Sequence, residues 1–515
     1  MIKIFLIASL VVMSISGCTG LPIVRDKVSS VRLADTSMTR LGRAVMQAQS
    51  NQDHPSGVQA LSDPHGAYAA RVLLMREAER SLDIQYYIWH ADTTGYLLLE
   101  EVWRAAQRGV RVRLLLDDNG IAGLDQDLAA LDSHANIEVR LFNPFVQRQF
   151  KFLGYLTDFS RLNRRMHNKS LTADVQATIV GGRNMGDVYF GAHPRMTFAD
   201  LDVLAVGAIA SEVASAFDGY WNSPLAYPVG DIVGSVALDA TRKLEEKFAS
   251  VRSSTEAMAY HEAVRHEVSL AYQLTQTPVL EWVPVQLVCD PPSKALRRGE
   301  ESAYLPAQIA QAIGQPKKTL DLVSPYFVPG DGGVEQLGQF PATGIKLRIV
   351  TNSLASNDVS AVHSGYAKHR LALLRSGASL FELIPEAQAA QTKRKWSLSS
   401  LAGSSWSSLH SKTIAVDGQR VFVGSFNLDP RSVRLNTEMG LVIQSHRLAD
   451  AVSAGLDAQL ISSAYQVQLA ADGESIQWIE QTPQGPVRYE TEPKASFMRR
   501  LTVMLMTLLP IDWLL

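Results

Sequence analysis

The sequence predicts an α/β protein made of two similar lobes, each a mixed, mostly parallel sheet flanked by helices and related to the other by a pseudo-twofold axis. Three observations carry this reading. The chain repeats itself: Ser81-Leu-Asp-Ile-Gln-Tyr-Tyr-Ile-Trp89 returns as Thr319-Leu-Asp-Leu-Val-Ser-Pro-Tyr-Phe327, and Gly109-Val-Arg-Val-Arg-Leu-Leu115 returns as Gly344-Ile-Lys-Leu-Arg-Ile-Val350. Between such strand-type runs the apolar residues fall at helical spacing, as Leu99, Val102, Trp103 and Ala106 do before Gly109 stops the pattern. Strands alternating with helices imply a largely parallel sheet covered by helices. Last, His167-x-Lys169-x4-Asp174 recurs as His410-x-Lys412-x4-Asp417 at the matching place in the second half.

The elements follow in order. Residues 1–18 read as a targeting segment: Lys3 is its positive region, and residues 4–15 run without a charge but are too short to span a membrane. The sequence Ile15-Ser-Gly-Cys18 resembles a bacterial lipoprotein cleavage box, with Cys18 the expected site of lipidation; an ordinary secretory signal or an N-terminal anchor is the alternative. Residues 19–60 form a polar lead-in, 61–235 the first lobe and 236–300 a charged, helical connector. The second lobe covers 301–470, and 471–515 is an extension ending in an apolar tail. Fifteen helical residues from Leu501 to Leu515 fall short of the ~30 Å hydrocarbon core, so this tail reads either as an interfacial segment or as a helix docked on the protein.

Composition narrows the function. A chain of 515 residues with 46% hydrophobic and 19% charged residues is a packed globular protein of more than one core. A net charge of −2 and a pI near 6.6 speak against a nucleic-acid partner. Two cysteines, Cys18 and Cys289, cannot form a disulfide framework, and Cys289 reads as a small buried apolar residue. The run from His261 to His266 imitates a zinc helix, but five residues turn a helix by about 500°, so the two imidazoles diverge. Neither a P-loop nor a Gly-x-Ser-x-Gly elbow is present.

The chemistry lies in the duplicated motif. Met166-His-Asn-Lys-Ser-Leu-Thr-Ala-Asp174 is followed by Gly181-Gly182-Arg183-Asn184, and Leu409-His-Ser-Lys-Thr-Ile-Ala-Val-Asp417 by Gly424-Ser425-Phe426-Asn427. This pattern resembles the HxKxxxxD signature of the phospholipase D superfamily with its Gly-Ser-x-Asn extension. A His and a Lys two apart on an extended strand point to one face. Two such pairs across a pseudo-twofold surround one phosphodiester, with Lys169 and Lys412 as charge partners and Asn184, Asn427 and Ser425 as neutral donors. One histidine can attack phosphorus to give a phosphohistidine while the other protonates the leaving alkoxide, with no metal or other cofactor required.

The resemblance implies His167 as nucleophile and His410 as general acid/base, with each ring oriented by a downstream acid: Glu438, and Asp202 as its first-half counterpart. Asp174 and Asp417 belong to the catalytic signature and are expected to hold loop and sheet in place. Gly182 departs from the pattern where the second copy has Ser425, leaving one side of the pocket without a hydroxyl. Arg161, Arg164 and Arg165 either draw an anionic headgroup or line a solvated loop.

Beyond the motifs, Leu82-Asp-Ile-Gln-Tyr-Tyr-Ile-Trp89, Leu114-Leu-Leu-Asp-Asp-Asn119, the run Thr157 to Ser170, Ser324-Pro-Tyr-Phe-Val-Pro329, Thr351-Asn-Ser-Leu-Ala355 and the terminal Leu509 to Leu515 are similar to bacterial cardiolipin synthases of the C type. That likeness implies transfer of a phosphatidyl group between phospholipids at a membrane surface, with phosphatidylglycerol the expected substrate, in a lipid-anchored protein of the bacterial envelope. Hydrolytic phospholipase D is the alternative, and a phosphodiester nuclease a more distant one.

Overall fold

The computed structural model describes residues 20–22, 27–191, 200–234, 236–265, 280–385 and 409–515. Cys18 and the expected signal segment, and His266, lie outside the described residues.

Each lobe is one sheet. The first contains β1 (Ser56–Leu61), β2 (Ser81–Ile88), β3 (Arg111–Gly120), β4 (Ile137–Phe142), β5 (Ser170–Ala173), β6 (Ala177–Gly181), β7 (Asp202–Gly207), β8 (Ala226–Pro228) and β9 (Glu281–Trp282), in the order β8-β4-β3-β2-β5-β6-β7-β1-β9. The second contains β10 (Val285–Cys289), β11 (Thr319–Val323), β12 (Lys346–Asn352), β13 (Ser379–Leu383), β14 (Thr413–Val416), β15 (Arg420–Gly424), β16 (Met439–Gln444), β17 (Ala464–Leu469), β18 (Ile476–Thr482) and β19 (Gly485–Tyr489). Its order is β10-β16-β15-β14-β11-β12-β13-β17-β18-β19. The run β4-β3-β2-β5-β6-β7 in one lobe thus reappears as β13-β12-β11-β14-β15-β16 in the other.

The parallel character is less than expected. Among the described strands only β2-β3-β4 and β11-β12-β13 run parallel, and every other strand-to-strand pairing is antiparallel. Connection length is the reason. The helices Thr93–Gln107 and Asp125–Asp132 give the crossovers that parallel neighbours need, whereas 174–176 and 417–419 can only close hairpins. In both hairpins the motif aspartate and the next residue take positive φ (49° and 58° at Asp174 and Val175, 56° and 62° at Asp417 and Gly418), the conformation that turns antiparallel strands tightly. Val175 holds it at the strain of a β-branched side chain, where the second lobe has glycine.

Strand alternation sorts side chains between two faces of each sheet. Leu82, Ile84, Leu114 and Leu116 face outward in the first lobe, under the helices Pro64–Glu77 and Thr93–Gln107. Leu320, Leu322, Ile349 and Phe422 do so in the second. Val180, Val203 and Ala205 of one sheet meet Val421, Val423, Leu441 and Ile443 of the other in a shared central core, completed by the helices Ala208–Trp221 and His446–Ser463. Equivalent ion pairs mark the duplication, Arg113 to Asp83 at 2.7 Å and Arg348 to Asp321 at 2.8 Å, each also joined by an aspartate (Asp218 and Asp457) from its interlobe helix.

Three boundaries move. Leu41 and Val45 of the lead-in enter the first core, and β1 begins before residue 61. The connector is part of both lobes: Leu244, Phe248 and Tyr260 pack into the first core, since an amphipathic helix must bury its apolar stripe somewhere, while β9 and β10 extend one sheet each. The extension adds β18 and β19 to the second sheet and buries Trp478.

Candidate active site

The two motifs arrive at one place because the lobes join there by backbone. Met166 bridges Thr437; the His167 amide donates to the Thr437 carbonyl at 2.8 Å, and the Thr437 amide to the Arg165 carbonyl at 3.0 Å. His167 and His410 each lie three residues ahead of a strand, β5 and β14, and each motif lysine lies one residue ahead of it. Each lysine folds back so that its ammonium donates to the carbonyl of its own motif histidine. Lys169 and Lys412 are both buried.

The imidazoles are held crosswise. His167 Nδ1 lies 2.7 Å from Glu438 of the second lobe, and His410 Nδ1 lies 2.5 Å from Asp200 of the first. Such an exchange is what a twofold produces, and it makes the pocket the property of neither lobe alone. With Nδ1 of each ring committed to a carboxylate, Nε2 is the nitrogen left for chemistry.

Asp200, not Asp202, is therefore the first-lobe orienting acid. Asp202 is fully buried against Arg71 at 2.8 Å and Arg183 at 3.1 Å, and accepts the Arg183 amide. Sheet register explains the offset: Gly181 pairs with Asp202 as Gly424 pairs with Gly440, so Asp200 is the position equivalent to Glu438. Gly182 follows from this. A Cβ there would lie 2.0 Å from an Asp200 carboxylate oxygen, so only glycine admits that acid. Ser425 occupies the corresponding place in the second lobe, but its hydroxyl donates to Glu438, so it positions a carboxylate and is not free as a phosphate donor. Ser432 donates to the other Glu438 oxygen at 2.8 Å.

The other expected residues divide. Asp174 accepts the amides of Glu79, Arg80 and Ser81, and Asp417 those of Lys317, Lys318 and Thr319, so both tie the hairpin to the start of the neighbouring strand. Asn184 accepts the Ile88 amide and donates to the Tyr189 hydroxyl at 3.1 Å. The buried Asn427 amide oxygen has no partner among the described residues, leaving this side chain as the less committed of the two. Arg165 is neither in solvent nor open to a headgroup: it is buried against Asp117 at 2.6 Å. Arg161 pairs with Asp158 at 2.5 Å. Tyr87 and Tyr189 were not foreseen, yet their rings stand edge-on to His167 and His410 at 4.9 and 5.2 Å. The only trace of them was position: Tyr87 sits in the first repeated strand, and Tyr189 lies five residues past Asn184.

The electrostatics of the two halves differ. Burial carries the His167 imidazole well below its usual value, helped by the ammoniums of Lys169 and Lys412 and by the His410 ring. His410 is lowered by burial and Lys412, against the pull of Asp200. Burial raises Glu438 to about 7, opposed by Lys169 and the two serine hydroxyls. Burial also pushes Asp200 upward, but His410, its hydrogen bond and Lys412 outweigh this and hold the carboxyl well below the usual range. Burial lowers Lys169 to about 7 and Lys412 to about 8. The pocket thus pairs a neutral His167 with a firmly ionised acid beside His410, and an incoming anion would favour the charged form of both lysines.

A family model described as "Cardiolipin synthase, PLD-like domain" matches residues 72–221 and again 309–459. The chain is 42% identical over 478 residues to cardiolipin synthase C of Escherichia coli, covering 93% of this chain and 100% of that protein. It is 23% identical to a cardiolipin synthase of Oceanobacillus iheyensis over 82% of this chain and 72% of that one. Among solved structures, phosphatidylserine synthase of Haemophilus influenzae superposes with a TM-score of 0.54 at 13% identity, covering 92% of this chain and 100% of that one, a likeness of fold.

Proposed function

Because the chain belongs to the cardiolipin synthase family of PLD-like proteins, we propose that it is a phosphatidyltransferase that moves a phosphatidyl group from one phospholipid to a hydroxyl of another through a phosphohistidine. The observation that carries this reading is the crosswise hold on the two imidazoles, His167 by Glu438 and His410 by Asp200, around two buried lysines. Neutral His167, its Nδ1–H donated to Glu438, attacks phosphorus through Nε2. The P–O bond to the leaving alcohol breaks, and His410, whose charged form the bound phosphate anion favours together with ionised Asp200, gives that oxygen its proton. His410 is then the base that takes the proton from the acceptor hydroxyl, whose oxygen attacks phosphorus as the P–N bond breaks. Lys169, Lys412 and the Asn427 amide compensate charge on the non-bridging oxygens throughout.

Acceptor choice follows from access: a pocket set against lipid delivers an alcohol where a wet one delivers water. We place the protein at a membrane surface, with phosphatidylglycerol as donor and acceptor and an N-terminal lipid anchor at Cys18. Among the described residues no helix is long and apolar enough to cross a membrane. Purified protein given phosphatidylglycerol should form cardiolipin and release glycerol; phosphatidic acid as the only product would replace the transferase reading with a hydrolytic one.

A further inference from the structure

Two exposed apolar segments, far apart in sequence, connect by short contact paths to residues of the pocket. The first runs from Phe150 through the helix Lys151–Thr157 to Phe159; it exposes Phe150, Phe152, Leu153, Leu156 and Phe159, with Leu156 at 81%. The second is the C-terminal helix Phe497–Thr507 and the residues after it, exposing Met504, Leu505, Leu508, Leu509 and Trp513, with Leu508 at 78%. This segment is anchored on its other side, Val503 and Leu515 being buried, the latter with Val328 and Val362. It is docked by one face and bare on the other.

Arg431 joins the two segments. Its guanidinium donates to Asn163 Oδ1 at 2.7 Å and to the Asn163 carbonyl at 3.0 Å, just past the first segment, and its amide donates to the Leu515 carbonyl at 2.7 Å. The next residue, Ser432, holds Glu438 and through it His167. From the first segment the path inward is as short: Tyr155 donates to Asn119, Asn119 to Tyr87, and Tyr87 stands against His167. Beside this junction the Arg164 guanidinium donates to the carbonyls of Lys294 and Arg434 and feels the charge of Arg297. Arg164, Arg297 and Arg434 have no carboxylate partner among the described residues.

We propose that Phe150–Phe159 and Phe497–Leu515 form one two-part rim that enters the surface of an anionic phospholipid monolayer and sets the mouth of the His167–His410 pocket against it. The inference deepens the phosphatidyltransferase reading and rests on it for the choice of lipid as occupant. Large apolar side chains exposed together on two linked segments mark an interaction site. Eleven helical residues measure about 16 Å, too short to span a bilayer and suited to lying in its interface, with Trp513 at the boundary and unpaired arginines toward the headgroups.

The test uses the full chain and vesicles of phosphatidylglycerol and phosphatidylcholine with brominated acyl chains. The emission of Trp513, isolated by difference from Trp513→Phe, should be quenched. The double variant Phe152→Glu/Leu156→Glu and, separately, Leu508→Glu should lower vesicle partition and turnover of vesicle lipid by about tenfold or more. Both should turn over a monodisperse short-chain phosphatidylglycerol as the unaltered protein does, which shows that they fold. Absence of Trp513 quenching overturns the proposal, as does undiminished vesicle turnover in both variants. So does a loss of self-association with vesicle binding intact, which would make a second copy the occupant. Quenching without turnover of either lipid would leave the rim standing and remove the phosphatidyltransferase reading.

Discussion

Asp200→Asn separates orientation of His410 from the stability of the fold. The Asp200 carboxylate accepts from the Leu201 amide at 2.8 Å through one oxygen and meets His410 Nδ1 at 2.5 Å through the other. An asparagine keeps the first bond only by presenting its carbonyl oxygen to Leu201, which turns its NH2 toward Nδ1. The ring must then accept at Nδ1 and carry its proton on Nε2, the tautomer that cannot take a proton from an acceptor hydroxyl. The analogous exchange in a serine-protease triad lowers kcat about 10⁴-fold, and a loss of about 10³–10⁴ is expected here. At 1.36 kcal/mol per decade this is ~4–5.5 kcal/mol of transition-state stabilisation. Asp202→Asn, two residues on, should behave oppositely. It removes the charge facing buried Arg71 and Arg183 and should cost about 3–5 kcal/mol of stability, read as a lower thermal midpoint, with the kcat of the folded fraction within a few-fold. Both are read by product formation from phosphatidylglycerol and by calorimetry. A kcat for Asp200→Asn within tenfold of the unaltered protein, or a loss as large for Asp202→Asn at unchanged stability, would refute the assignment.

Other predictions rest on the same geometry. In the free enzyme kcat/KM should peak in a narrow window near 7, rising as Glu438 gives up its proton to become the acceptor for His167 and falling as Lys169 and then Lys412 lose their charge; a profile flat from 6 to 9 would contradict the buried charges. A bound phosphodiester should raise both lysines and draw protons from buffer, measurable as a buffer-dependent binding enthalpy. Ser425→Ala should lower kcat about tenfold with KM little changed, because it frees Glu438 and does not touch substrate; a rise in KM alone would return Ser425 to the substrate side. Asp174→Ala leaves three amides without their acceptor and should destabilise by about 3 kcal/mol or more, while the folded fraction stays active.

Much of this was legible because duplication writes the same instruction twice. The alternation of apolar residues around Asp83 and Arg113, and around Asp321 and Arg348, announced paired strands whose charged positions find each other across the ladder. The motif spacing located both histidines, both lysines and the two hairpin aspartates. Asp200 and Asp202 lie two residues apart, and only ladder register, which depends on the partner strand, tells them apart. Aligning the onset of Val203-Leu-Ala-Val206 with that of Leu441-Val-Ile443 would have found Asp200. The antiparallel majority was also available, in the three-residue links after Ala173 and Val416. Tyr87, Tyr189 and the role of Arg431 were not, because each acts through contacts between elements that no local pattern encodes.

The central claim is one pocket in which His167 alone carries the phosphatidyl group. Rapid quench of the enzyme with phosphatidylglycerol labelled at phosphorus, followed by peptide analysis under alkaline conditions that preserve phosphohistidine, tests it most directly. Label should appear on the peptide bearing His167, be abolished by His167→Ala, and chase into cardiolipin when unlabelled acceptor is added. Label confined to His410, or full turnover by the His167→Ala variant, would contradict the account.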